Sequence, residues 1–296
     1  MGAEVNLPTE EDDTLFKFNA SYDIDDDMMI YTTIAEGYRR GGANAVPLNG
    51  DLEERPEWQQ YNSDSVTNFE VGVKGSFGDG NHNYTASVFL MDWDDPQLNT
   101  ATAWGFFAVA NGESAQTQGI ELELSGFLND DWHYSVGYAH VSAELTADFY
   151  APSAVWVTDP LSLVAEDGDK LPTTPDDTLS VGLDYTHNLA NGMYLTTRVN
   201  GYYQSDSLNA LGADSRVQAD IDGFSLWNFS TRLSSEGSSD WDIALYVKNI
   251  FNEEGVTGLI PEGYMGTDPA ENFLGNSSKN YISLPRTIGV SATFHF

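Results

Sequence analysis

The sequence predicts an all-β chain, a transmembrane antiparallel β-barrel wall in which about eleven strands are present. Three observations carry this reading. Apolar and polar residues alternate with a period of two through most of the 296 residues, the pattern of strands with two unlike faces. The connections between strands fall into two length classes that take turns along the chain. No stretch approaches the ~18–20 continuous apolar residues of a membrane-spanning helix, so any crossing falls to strands.

The strands come in order. Phe16, Phe18, Ala20, Tyr22 and Ile24 share one face of the first, and Phe69, Val71 and Val73 one face of the third. Ile120, Leu122 and Leu124 alternate with Gly119, Glu121, Glu123 and Ser125. Trp132, Tyr134, Val136 and Tyr138 follow, then Leu179, Val181, Leu183 and Tyr185, then Met193, Leu195, Thr197 and Val199. The expected spans are Thr14–Ile24, Met28–Tyr38, Ser65–Phe77, Asn83–Leu98, Phe107–Phe127, Trp132–Leu145, Thr178–Leu189, Met193–Gln204, Phe224–Ser234, Asp240–Ile250 and Tyr281–Phe296. Most reach the ~9–11 residues that a tilted strand needs to cross a bilayer.

The short connections are Asp25–Asp27, Gly78–His82, Asn129–Asp131, Ala190–Gly192 and Ser235–Ser239, all rich in turn formers. Between them lie long, irregular ones, Gly41–Asp64, Thr146–Asp177, Ser205–Gly223 and Asn252–Asn280, with a shorter member at Pro96–Phe106. Tight turns at one end and long loops at the other are the habit of outer-membrane barrels. A secreted β-sandwich binding module, the main competing architecture, has no reason to sort its loops this way. Eleven is odd, so the first and last strands run the same direction and cannot close as an antiparallel pair. An open edge facing lipid would leave N–H and C=O groups unpaired. Further strands are therefore expected from an upstream portion of the same gene product, and residues 1–296 read as one unit of barrel. The polar, acidic start, Met1–Asp13, has no basic and apolar signal-peptide pattern.

Charge narrows the function classes. With 46 acidic residues against 12 basic, the formal net charge is −34, which argues against nucleic-acid binding and against polybasic docking on anionic lipid. There are no cysteines, hence no disulfides or thiolate metal sites. The faces opposite the apolar stripes carry Asn68, Glu70, Lys74, Glu121, Glu123, Asp184, Arg198 and Asn200. Consecutive charges suit a wet lumen better than a dry core. Aromatics near strand ends, Tyr31, Tyr38, Trp93, Trp132, Tyr203, Trp227, Trp241 and Tyr281, fit interfacial belts. In the final strand Ile288, Val290, Ala292, Phe294 and Phe296 share a face, and an amphipathic end of this kind resembles the assembly signal of outer-membrane proteins.

Six stretches, in order, resemble the C-terminal barrel of TonB-dependent outer-membrane receptors: Ile34–Asn44, Ser65–Gly75, Gln116–Leu124, Leu171–Tyr185, Val247–Glu254 and Leu284–Phe296. The resemblance implies that this chain is half of a barrel of about 22 strands with a plugged lumen. It also implies TonB-energised uptake of a scarce nutrient, most simply a ferric siderophore or similar iron chelate, across the outer membrane of a Gram-negative bacterium. Its partners would be outer-membrane lipid, the barrel assembly machinery, the TonB complex through an N-terminal region absent here, and an extracellular small molecule. No cofactor or catalytic group is implied.

The residues themselves hold no hydrolase or phosphate-loop motif. His133, Ser135, His140 and Ser142 share one strand, the basis for a rival reading as a small barrel enzyme. His133 and Ser135 share a face but lack an evident orienting acid. Acidic clusters at Asp12–Asp13, Asp25–Asp27 and Asp92/Asp94/Asp95 have no calcium-loop spacing and read as solvated turns. For substrate binding the candidates lie at the long-loop end. Arg39 and Arg40 offer guanidinium forks for an anionic chelate. Trp58, Tyr61, Trp104, Trp156 and Tyr264 offer stacking surfaces.

Overall fold

The structure is a computed structural model that describes residues 14–212, 218–235, 241–260 and 279–294. Eleven long strands form one antiparallel sheet in strict sequence order, each beside its chain neighbours. They are β1 (Lys17–Asp25), β2 (Met28–Arg39), β3 (Asp64–Phe77), β4 (His82–Asp94), β5 (Ser114–Asn129) and β6 (Trp132–Leu145). Then come β7 (Asp177–Asn188), β8 (Met193–Gln204), β9 (Phe224–Ser235), β10 (Trp241–Lys248) and β11 (Thr287–Phe294). All eleven expected strands are present. The first and last are not paired with each other, so the sheet is an open wall.

Register explains the wall's two faces. Antiparallel partners point the same way, so apolar positions can be followed from strand to strand. Ile30 pairs with Tyr22 and Val73, Val73 with Ala86, Ala86 with Leu122, Leu122 with Tyr138, and Tyr138 with Leu179. Further along, Leu183 pairs with Val199, Val199 with Phe229, Phe229 with Val247 and Val247 with Ile288. The result is one continuous apolar band over eleven strands, and most of it lies open to the surroundings: Val71 is 56% exposed, Val88 54% and Val290 70%. The opposite face matches polar or small partners: Lys74 with Thr85, Thr85 with Glu123, Asp184 with Arg198. Here Arg198 Nε donates to Asp184 Oδ1 at 2.5 Å, and Tyr31 donates to Glu70 at 2.7 Å. Water would not leave the apolar side uncovered. A hydrocarbon surround does.

Glycines on the inner face serve the aromatic side chains opposite them. A Cβ on Gly72 would come within 2.5 Å of the Tyr31 ring, and one on Gly289 within 2.2 Å of Tyr246. Each ring lies over a bare backbone, a device that fixes register.

The long connections depart from the expectation of irregular structure. Each carries its own two-stranded ribbon: Gly42–Ala43 with Gln60–Tyr61, Gln97–Ala101 with Phe107–Asn111, Phe149–Pro152 with Leu161–Ala165, Ser207–Leu208 with Asp220–Ile221, and Val256–Ile260 with Lys279–Ile282. This corrects three expected spans. Asn83–Leu98 ends at Asp94, because Leu98 belongs to a loop ribbon. Phe107–Phe127 is two strands, divided at Gly112–Glu113. Tyr281 lies in a ribbon, and β11 begins only at Thr287. The belt assignment also changes. Tyr38, Trp132, Tyr203, Trp227 and Trp241 lie on the apolar face, but Tyr31 and Trp93 point inward, in register with Gly72 and Val66.

The buried core sits among these loops. Trp58, Leu98, Ala108, Ala110, Ala115, Ala143, Leu145, Phe149, Ala151, Ala165, Leu171 and Leu211 form one cluster, with Phe149 and Ala165 fully buried. Its members come from four loops and the adjoining tips of β5 and β6. Small alanines let the ribbons approach closely, and two large rings fill the remaining volume.

Candidate functional site

The loop end is built by polar clamps around that core. Loop one, residues 40–63, supplies most of them. Asn44 Nδ2 donates to Trp58 O at 2.7 Å and to Val109 O at 2.8 Å, and its Oδ1 accepts from Val109 N at 2.9 Å. Glu54 Oε1 accepts from Trp104 N at 3.1 Å. Arg55 donates to the carbonyls of Ser153 (3.0 Å), Ala154 (3.2 Å) and Val157 (2.5 Å). Adjacent residues of loop one thus tie down loops two and three. Glu54 is 1% exposed and makes no ion pair among the described residues. Its Oε2 and the Trp58 Nε1 have no partner there.

At the rim, Asp64 gathers three donors on a side chain only 2% exposed. Arg39 Nε lies 3.1 Å from both carboxylate oxygens, and Trp93 Nε1 (2.9 Å) and Gln97 N (3.0 Å) reach Oδ2. The apolar-side residues at this level, Tyr38, Ser65 and Asp94, are polar, so the pair stands above the apolar band. Burial pushes the Asp64 carboxyl up. Hydrogen bonds from Arg39, Gln97 and Trp93 outweigh that cost and hold it below its ordinary range.

The candidate residues meet different fates. Arg39 is committed to Asp64 and lies over the Trp93 ring at 4.9 Å. Arg40 is exposed, and its carbonyl accepts from Gln97 Nε2 at 3.0 Å. Trp58 is 2% exposed and presents no stacking face. It is a core residue, since its loop folds over it. Tyr61 is half-buried, its ring lying across Gly42. Trp104 and Trp156 are brought together edge to face with ring centroids 5.2 Å apart, at 40% and 62% exposure. Tyr264 lies outside the described residues, as do Phe296 and Asp12–Asp13. Ile288, Val290 and Phe294 line the open edge strand on the apolar face.

The remaining sequence candidates are absorbed by local structure. Asp25–Asp27 is a turn in which Asp27 N donates to Asp25 Oδ1 at 2.9 Å. Asp92 accepts from Gln116 at 2.9 Å. Among the described residues no three His, Asp or Glu side chains converge as a metal site. His133 does have an acid opposite, contrary to the sequence reading. Asp184 Oδ2 is 3.7 Å from its Nδ1, but that carboxylate is bound by Arg198. Sequence reasoning missed Asn44, Glu54, Arg55 and Asp64. Only burial distinguishes Glu54 from the exposed acids around it, and no local pattern marks that.

An open antiparallel wall, apolar outside and charged inside, with folded loops at one rim, defines a portion of an outer-membrane-type β-barrel. Residues 3–250 match the family model "TonB dependent receptor-like, beta-barrel", and the chain belongs to that family. It is 24% identical over 294 residues to the pesticin receptor of Yersinia enterocolitica, covering 97% of this chain and 37% of that protein. It is 30% identical over 117 residues, 40% of this chain, to the probable TonB-dependent siderophore receptor PiuA of Acinetobacter baumannii. The fold is similar to that of the ferric yersiniabactin uptake receptor FyuA from Yersinia pestis, with a TM-score of 0.69 at 18% identity over 95% of this chain and 37% of that one. The ferripyoverdine receptor of Pseudomonas aeruginosa gives 0.60 at 19% identity, covering 93% of this chain and 32% of that one. The chain spans about a third of the length of the receptors it matches end to end.

Proposed function

We propose that this chain forms one side of the barrel of an outer-membrane receptor that takes up a ferric chelate by TonB-energised transport. The observation that carries the reading is the unbroken apolar band, matched strand by strand in register and backed by a charged inner face. A wall of this kind works only against lipid outside and a hydrated lumen inside. Its two unpaired edge strands run in the same direction, so an odd number of further strands completes an even antiparallel barrel. A total near 22 leaves room for a plug.

In this account the folded loops face the medium and capture the chelate, and the inner face of β1 to β11 lines the path it takes once the plug moves. The terminal strand, with Ile288, Val290 and Phe294 on its apolar side, is the segment offered to the barrel assembly machinery. The plug and the TonB contact belong to sequence outside this chain. The relatives named for siderophore uptake support iron as the nutrient.

The test is genetic. Deleting the gene that carries this chain should abolish iron accumulation from the strain's own iron-limited spent medium, and so should collapsing the proton-motive force. The gene product should fractionate with the outer membrane. Unchanged accumulation in the deletion strain, or a folded product in the soluble fraction, contradicts the proposal.

A further inference from the structure

The loop end pairs two features that together restrict the ligand. The first is the exposed Trp104–Trp156 pair. It is not a chance contact of mobile tips, because each partner is fixed from loop one. Glu54 holds the Trp104 backbone N–H, and Arg55 holds the carbonyls that flank Trp156 on both sides, at Ala154 and Val157. Gly105, at a φ of 81°, closes the turn that presents Trp104, where a side chain would be strained. Both donor and acceptor ends of one dipeptide are spent on placing two rings.

The second feature is charge. Residues 146–176 contain six acidic side chains and one basic, and residues 40–63 four acidic and two basic. The basic groups of the described loops are engaged. Arg55 caps carbonyls, Lys170 pairs with Asp176, Arg286 donates to Ile250 O, and Arg40 and Lys279 have partners as well. Arg39, at the strand end, is neutralised by Asp64. Among the described residues of this rim an anionic chelate meets repulsion and no uncommitted guanidinium fork, whereas indole faces in an acidic surround attract a cation.

We propose that the Trp104–Trp156 pair, held by the Glu54–Arg55 clip, is a stacking subsite for a ferric chelate carrying no net negative charge, with Glu54 and Arg55 as positioning residues. This rests on the receptor reading above and gives it a substrate class. It differs from the guanidinium-based recognition of an anionic chelate that the sequence suggested.

The experiment uses the purified gene product carrying this chain, in detergent, with calorimetric titration of three probes: ferrioxamine B (cationic), ferrichrome (neutral) and ferric citrate (anionic). The cationic or the neutral chelate should bind at least about tenfold more tightly than the anionic one, with the gap widening at low salt. The double substitution W104A/W156A should weaken that binding about tenfold. Near-UV circular dichroism reads the placement of the rings directly. Glu54→Gln, which keeps an oxygen for Trp104 N–H, should retain the coupled indole signal and the affinity, and Glu54→Ala and Arg55→Ala should lose both. If Glu54→Ala does not fold, the contrast of Arg55→Ala with Glu54→Gln carries the test. Tightest binding of ferric citrate, an unchanged affinity in W104A/W156A, or no binding of any probe by a receptor that still takes up iron from spent medium overturns the inference. Loss of that uptake requirement would instead overturn the receptor reading.

Discussion

The eleven-strand wall and the loop cap are made of similar side chains put to opposite uses. In the wall, Val71, Val88 and Val290 are more than half exposed, and among the described residues no second long sheet packs against it. In the cap, Phe149 and Ala165 are fully buried and Trp58 nearly so. The difference is the solvent on the apolar side. The wall hands its apolar stripe to hydrocarbon and keeps its charges for the lumen, whereas the cap, standing in water, must bury its own. One chain therefore obeys two rules of burial, and the boundary falls where the apolar-side row turns polar at Glu36, Thr67, Asp92 and Gln116.

That contrast can be broken at either end. The largest effect belongs to the cap core. Phe149→Ala should cost about 3–5 kcal/mol by leaving a cavity that alanine-lined ribbons cannot fill. The damage should stay local, with loops nicked by protease while the barrel keeps its heat-modifiable gel mobility. Loss of that mobility would mean that cap and wall fold as one unit.

On the wall, Val71→Arg should cost about 2–4 kcal/mol in urea unfolding from vesicles, since a guanidinium would face hydrocarbon. Thr85→Arg, on the other face beside Glu123, should cost under about 1 kcal/mol. Equal costs would erase the distinction between the faces.

Asp64→Asn should cost about 2 kcal/mol at the rim, mostly from the buried indole and backbone donors it leaves poorly paired, because Arg39 is half in water. The pH profile follows from the sign of the shift. The folded-state carboxyl lies below its unfolded value of about 3.9, so its stabilisation is complete above about pH 4 and fades as pH falls through the lower folded value. Loop protection from an acid protease between about pH 4 and pH 2 should therefore decline more steeply in the native protein than in Asp64→Asn. Gly72→Ala should cost about 1–2 kcal/mol, as the added methyl displaces the Tyr31 ring; it is read by loss of Tyr31 fluorescence anisotropy in a protein with the other inner tyrosines replaced.

The wall was legible in the sequence because lipid and lumen impose a strict two-residue alternation that needs no tertiary knowledge. The cap was not, since its strands are short and pair within loops. Phe107–Asn111 continues the alternation of its neighbour, and the break was marked only by Asn111–Gly112, a turn dipeptide. There the Asn111 side chain bonds Asn62 N at 2.7 Å. Arg39 looked like a ligand-binding fork because its acid partner, Asp64, lies 25 residues away along the chain. Trp58 looked like a platform because nothing local reveals that its loop buries it in a core shared with three other loops. Trp104 and Trp156 do remain exposed, and they are the two aromatic candidates the fold brings together.

The chain contains no cysteine, so single-cysteine labelling, with any cysteine elsewhere in the gene product replaced by serine, gives the most direct test of the wall's orientation. With a bimane label in vesicles of the gene product carrying this chain, brominated lipid should quench Val71→Cys, Val88→Cys and Leu122→Cys and leave Thr85→Cys and Glu123→Cys bright. The reverse pattern, or quenching of both sets alike, would contradict a lipid-clad wall with a wet interior.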